Sequence, residues 1–153
     1  MAIIGVISDT HGLLRPEAVE ALRGSAHILH AGDVGNAEIL ERLREIAPVT
    51  AVRGNVDRGA WASALPKNEV VEISGVSIYM LHILDELDLK PEAGGFGVVV
   101  YGHSHKPVSE VRNGVLYFNP GSAGPRRFKL PATVGKLIMK DGVVQGRIVE
   151  LKS

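Results

Sequence analysis

Short apolar runs alternate with amphipathic stretches through the first third of the chain, and each run ends on a polar cluster. Ile3–Ile7 reads as a buried strand. A helix follows from Pro16, whose fixed φ suits a first helical position, to about Arg23. Ala26–Leu29 is a second strand. Asn36 is placed to cap a helix in which Ile39, Leu40, Leu43, Ile46 and Ala47 recur at helical spacing, and Pro48 stops it. Val49–Val52 is a third strand, leading into the loop Gly54-Asn55-Val56-Asp57-Arg58-Gly59. Strand and helix in alternation predict βα units and a parallel sheet.

From Glu69 onward the pattern shifts to short strands at close intervals, Val76–Leu81 among them, with turn signals at Ser74-Gly75, Asn113-Gly114 and Asp141-Gly142. Ile83 to about Ala93 reads as either a helix or an irregular loop, closed by Gly94-Gly95. Thr133–Leu151 predicts a hairpin, because Val134, Leu137, Met139, Val143, Ile148 and Leu151 are apolar around the Asp141-Gly142 turn. No repeat, linker or low-complexity tract interrupts the pattern, so one domain over 1–153 is expected.

Charge narrows the partners. Lys plus Arg and Asp plus Glu number 17 each, so no global field draws the chain to nucleic acid or to an anionic membrane. Cysteine is absent, which excludes disulfides, thiolate metal sites and a cysteine nucleophile, and leaves histidine and carboxylate to carry any metal chemistry. The apolar N-terminal run has no basic leader and is far shorter than the roughly 20 residues of a membrane span. Cytoplasm is the expected location.

Four polar motifs follow apolar strands: Ser8-Asp9-Thr10-His11, Gly32-Asp33, Gly54-Asn55 and Gly102-His103-Ser104-His105. His82 follows the strand Val76–Leu81. In an open α/β sheet the crevice beyond the carboxyl ends of the strands is where ligands bind, so these loops are expected to converge. Asp9/His11 and His103/His105 have ligand-type residues at i and i+2, a spacing that turns both side chains the same way from extended backbone. The glycines before Asp33, Asn55 and His103 permit tight or left-handed backbone at a crowded centre.

Singly, each motif is as readily a turn or a cap. In this order they resemble the calcineurin-like metallophosphoesterases, over Ile3 to about Ser122, and Val52-Arg53-Gly54-Asn55 with Asn119-Pro120-Gly121-Ser122 resemble the small bacterial and archaeal phosphodiesterase branch. The resemblance implies a four-layer αββα sandwich: two mixed β-sheets face to face, helices outside, and a binuclear metal centre at the carboxyl edge of the strands. It implies Asp9, His11 and His105 on one ion, Asn55, His82 and His103 on the other, and Asp33 between them. The implied cofactors are two divalent transition-metal ions, manganese first, with nickel, iron, cobalt or zinc also suited to nitrogen and oxygen donors. The implied reaction is attack of a metal-bridging hydroxide on a small phosphate ester, a diester before a monoester.

Two rival readings accompany it: a phosphomonoesterase for small metabolites, and a non-catalytic metal-binding scaffold like the small retromer subunit, which resembles this fold. A homo-oligomer, dimer or tetramer, is compatible with either. Phosphoprotein phosphatases of the superfamily carry a histidine after the metal-binding asparagine, thought to protonate the leaving group, where this chain has Val56. Asp57 is expected to hold the loop. Ile83 stands after His82 where relatives usually have glycine, and a bulky residue there threatens the placement of His82. His27 and His30 are expected to be structural, with His30 orienting the loop around Asp33. Asp85, Glu86 and Asp88 read as a solvated face. Among Arg53, Arg58, Arg126 and Arg127, Arg53 is the preferred phosphate contact. Asn119 and Ser122 are expected to hold the loop beside the metals, and Trp61 and Phe128 to pack in the core or line a rim.

Overall fold

The computed structural model describes residues 1–126 and 129–152, so Arg127 and Phe128 lie outside the described residues. Val98–Val100 is buried on both faces, the continuous apolar signature of a central parallel strand, whereas Asn68–Ile73 alternates exposed and half-buried positions like a sheet edge. These two patterns recur across two five-stranded mixed sheets.

The first sheet contains β1 (Ala2–Ile7), β2 (His27–His30) and β3 (Val49–Ala51) in parallel, with the hairpin of β9 (Thr133–Lys140) and β10 (Val143–Glu150) added antiparallel to β1. Its order is β10-β9-β1-β2-β3. The second sheet has the order β4-β5-β6-β8-β7, from β4 (Asn68–Ile73), β5 (Val76–Leu81), β6 (Val98–Val100), β7 (Val108–Arg112) and β8 (Val115–Asn119). Here β5, β6 and β8 run parallel, and β4 and β7 close the edges antiparallel.

The inner faces bury one core between the sheets, with Ile4, Val6, Leu29 and Val52 from one side meeting Ile78, Met80, Val100 and Phe118 from the other. Burying such aliphatic side chains contributes roughly 1.5–3 kcal/mol each. The outer face of the first sheet is covered by α1 (Pro16–Leu22) and α2 (Ala37–Arg44), through Ala18, Leu22, Ile39, Leu40 and Leu43. Asn36 caps α2, its side chain accepting from the Ile39 amide at 3.3 Å. Ile46 and Ala47 pack on the same cluster from the turn beyond the helix.

The fourth layer is thin. Leu84, Leu87, Leu89 and Phe96 cover Tyr79, Val99 and Tyr117, but the segment holding them forms a 3-10 turn at Leu84–Glu86 and irregular backbone, with no α-helix. A four-residue helix, α3 (Ala60–Ser63), follows the loop after β3. No helix among the described residues is long and apolar enough to cross a membrane.

Candidate metal centre

The parallel strands β1, β2, β3, β5 and β6 release their chains at one end of the sandwich, and the polar motifs meet there. The β1 and β2 loops interlock: the amides of Asp9, His11 and Gly12 donate to the carbonyls of Gly32, Asp33 and Val34 at 3.0, 2.9 and 2.9 Å. Asp57 joins the β3 loop to them. One of its carboxylate oxygens accepts from the Gly54 and Val34 amides at 2.9 and 3.2 Å, and the other from Gly35 at 3.0 Å. The loop-holding role expected of Asp57 is what the structure shows.

Glycine contributes here mainly by closeness. A Cβ on Gly54 would overlap Asp33, and one on Gly102 would overlap Ser8. Of the three glycines before candidate ligands, Gly32 alone has positive φ. The left-handed backbone expected of those glycines is held largely by the candidate ligands themselves: Asp9, His11, Asp33, His103 and His105 all have φ between 47 and 73°.

Two groups of donor atoms result. In the first, Asp9 Oδ1 lies 3.4 Å from His105 Nε2 and 3.7 Å from His11 Nε2, and the two Nε2 atoms are 3.4 Å apart. In the second, Asp33, His82 and His103 converge, with His82 Nε2 3.1 Å from Asp33 Oδ2. Asn55 Oδ1 sits 3.2 Å from His103 Nδ1. Asp33 Oδ2 is also 3.7 Å from His11 Nε2, and Asp9 Oδ1 is 3.8 Å from His82 Nε2, so the groups adjoin across the two carboxylates. The structure thus brings together all seven residues singled out in the sequence. Ile83 does not displace His82, whose Nδ1 donates to the Ala31 carbonyl at 2.7 Å and leaves Nε2 facing the centre.

The donor chemistry fits divalent cations. Ligands about 2.0–2.2 Å from one ion lie roughly 3–3.6 Å from each other in tetrahedral or octahedral arrangement, close to the spacings of the first group. Asp9 and Asp33 are 0% and 3% exposed, and two buried carboxylates need positive compensation. Asp9 Oδ1 is buried and faces the centre without any hydrogen-bond partner, and His82 Nε2 meets only Asp33 Oδ2 there, at 3.1 Å. Ser8 Oγ and the His103 amide donate to the other Asp9 oxygen at 2.7 and 3.1 Å, and the Val56 amide donates to Asp33 Oδ1 at 3.1 Å. Each carboxylate therefore has one oxygen held by protein donors and one turned to the centre.

Burial alone would raise the Asp9 carboxyl, but His105, His11 and His82 outweigh it and hold the group well below the usual carboxylate range. Asp33 is lowered against its burial by His82 and the Val56 amide. His82 moves the other way: burial disfavours its charge, but Asp33 and Asp9 raise it above the ordinary histidine value.

The supporting residues were only partly visible beforehand. His30 is fully buried and its Nδ1 accepts from the Gly32 amide at 3.1 Å, in line with the loop-orienting role expected of it. That bond leaves the proton on Nε2, which donates to Thr10 Oγ1 at 3.0 Å, and Thr10 donates to the Val34 carbonyl at 2.7 Å. Burial pushes His30 down to about 4, consistent with this neutral ring. Asn119 Nδ2 donates to the Gly102 carbonyl and Ser122 Oγ to the Asp9 carbonyl, both at 3.1 Å. Ser8 and Thr10 were passed over, although their place inside the first polar motif, at the end of a buried strand, was a usable signal.

Arg53 lines a cleft with Asn55 and His82, Arg58 is exposed, and Arg126 lines a separate cavity with Arg15 and Lys152. Trp61 packs against the cluster under α1 and α2. Asp85, Glu86 and Asp88 are exposed, and His27 is half-buried against Thr50.

The profile of the calcineurin-like phosphoesterase superfamily domain matches residues 1–142. The chain belongs to that family. It is 36% identical to the probable metallophosphoesterase MJ0623 of Methanocaldococcus jannaschii, over 91% of this chain and 77% of that protein. It is 33% identical to phosphodiesterase YfcE of Escherichia coli K12, over 85% and 84% of the two chains. Among solved structures, a novel archaeal phosphodiesterase superimposes with a TM-score of 0.79 at 25% identity, covering 96% of this chain and 99% of the other. Vps29 of Chaetomium thermophilum superimposes with a TM-score of 0.77 at 19% identity, covering 99% and 97%, a likeness of fold alone. Family and donor groups together make this a metallophosphoesterase chain equipped for divalent metal ions.

Proposed function

We propose that the protein is a binuclear-metal phosphodiesterase of small phosphate esters, with 1–153 acting as one catalytic domain in the cytoplasm. Asp9, His11 and His105 hold one ion, Asn55, His82 and His103 the other, and Asp33 stands between them. The observation that carries this reading is the pair of adjoining donor groups with Asp9 Oδ1 buried and without a hydrogen bond between them. When bound, two divalent ions, manganese in the first instance, supply an acidified water as nucleophile and positive charge for the phosphate oxygens.

The protein's own residues orient this chemistry. The Ala31 carbonyl accepts a hydrogen bond from His82 Nδ1–H, which fixes the ring with its Nε2 lone pair toward the centre. Ser8 and the amides of His103 and Val56 aim one oxygen each of Asp9 and Asp33 inward. Arg53, beside Asn55, is placed to pair with phosphate oxygens that do not react. No acid stands at Val56 to protonate a leaving group, so esters with good leaving groups are favoured. A dimer or tetramer remains compatible with this centre.

The name of YfcE, a phosphodiesterase, supports a diester over a monoester. The fold shared with Vps29 keeps the scaffold reading as the rival. One experiment separates them: an aryl phosphodiester and the matching monoester are assayed with manganese, nickel and a chelator control, beside Asp33→Asn. Metal-dependent diester cleavage, lost in the variant and exceeding monoester cleavage, is the expected outcome. Faster monoester cleavage favours the monoesterase reading, and folded protein inert with every metal, together with a specific protein partner, favours the scaffold.

A further inference from the structure

The cleft next to His82 and Asn55 has walls that the donor groups do not account for. Arg53, Lys67, Ile83 and Glu86 line it beside the two donor residues. The Arg53 amide donates to the Pro66 carbonyl at 2.8 Å, which ties the exit of β3 to the segment entering β4 and brings Lys67 to the same cleft. The Glu86 amide donates to the Ile83 carbonyl at 3.0 Å, so one 3-10 turn brings both residues to the cleft. Among the described residues, Arg53, Lys67 and Glu86 have no ion-pair partner. Two cations and one carboxylate without ion-pair partners therefore line a cleft beside a centre that would itself be positive with two divalent ions bound.

His82 and Asn55 belong both to the donor groups and to this cleft, so a phosphate seated at the centre has an ester substituent beside its mouth. Resting on the phosphodiesterase reading, we infer that the cleft receives the alcohol portion of the substrate and that this portion carries a second anion, a carboxylate or a further phosphate, held by Arg53 and Lys67. Ile83 supplies an apolar wall for a short carbon spacer, and Glu86 an acceptor for a hydroxyl on it. The cleft has room for about 70 Å³. That is well below the roughly 300–1,000 Å³ typical of whole-ligand sites, so it admits a short end group and not a bulky substituent. Ile83 thereby becomes part of the specificity of this chain.

Calorimetry on the manganese-loaded protein tests this with two probes of similar size, 3-phosphonopropionate and propylphosphonate. Both place a phosphonate at the centre, and only the first carries a second anion. The expected result is about tenfold tighter binding of 3-phosphonopropionate, from two cations acting on one group. In Lys67→Glu, checked by thermal melting for an unchanged fold, the preference is expected to disappear or reverse. Equal affinity of the two probes for the unaltered protein, a preference that survives Lys67→Glu, or no binding of either probe overturns the inference. Failure of the phosphodiesterase reading looks different: both phosphonates bind, with the charge preference intact, while the aryl diester is not cleaved. That outcome removes the hydrolysis and leaves the anion preference of the cleft.

Discussion

At the scale of residues, the centre is built from backbone that side-chain-bearing residues rarely adopt. Asp9, His11, Asp33, His103 and His105 lie in the left-handed region, at a cost of roughly 1–2 kcal/mol each. The offset comes from loops that hold one another, through the interlocked β1 and β2 amides and the three amides on Asp57. Val56 is fixed by the same mesh: its amide is spent on Asp33 while its side chain is 47% exposed. An acid placed on that side chain would stand at the rim without disturbing the Asp33 bond. Val56→His is therefore expected to speed diesters with poor leaving groups by about a hundredfold, the low end of general acid catalysis, and to change aryl esters little. Rates plotted against leaving-group pKa should flatten in the variant, and an unaltered slope counts against a missing proton donor.

At the scale of elements, the two sheets are fitted by glycine under an aromatic ring. Phe118 of β8 is fully buried, and a Cβ on Gly135 of β9 would overlap its ring, while one on Gly146 of β10 would come within 2.8 Å. Gly135→Ala is expected to overpack this contact and cost about 1–3 kcal/mol in urea denaturation, with Phe118→Leu in the same chain recovering part of it. Additive losses in the double variant would mean that the ring is not what the methyl meets. This contact also marks what a sequence can disclose. The hairpin was legible because its alternation and the Asp141-Gly142 turn are local, and α2 because Asn36 and the spacing of Ile39, Leu40 and Leu43 are local too. The order β5-β6-β8-β7 and the pairing of Phe118 with Gly135 depend on partners far along the chain and leave no local trace. The donor residues were legible only together, because the order of their motifs along the chain resembles one family, while each motif alone reads equally as a turn or a cap. The grip of Asp57 on three amides and the left-handed backbone of the donors arise only when the loops meet.

At the scale of the whole molecule, a chain with no net charge concentrates two buried carboxylates and four histidines at one end, and protons compete there with metal. His82 carries its proton above the ordinary histidine value of 6.5 because, against its burial, Asp33 and Asp9 stabilise the charge. In metal-free protein this raised value contributes stability that is fully present below 6.5 and is lost as pH rises through the folded value. Asp9 and Asp33 are depressed, so their contribution is present above the unfolded value of 3.8 and lost only as pH falls below it. Buried His30 opposes this on the acid side, because its value, pushed down to about 4, costs stability as pH falls below 6.5. Metal needs the neutral imidazole, and below the folded value of His82 its apparent affinity should fall about tenfold per pH unit for that one proton. The gain in melting temperature given by manganese over chelator should therefore widen as pH rises from the acid side towards the raised value of His82. A gain that is flat with pH would mean that no histidine proton leaves on metal binding, and His82 would then have to be removed from the ligand set.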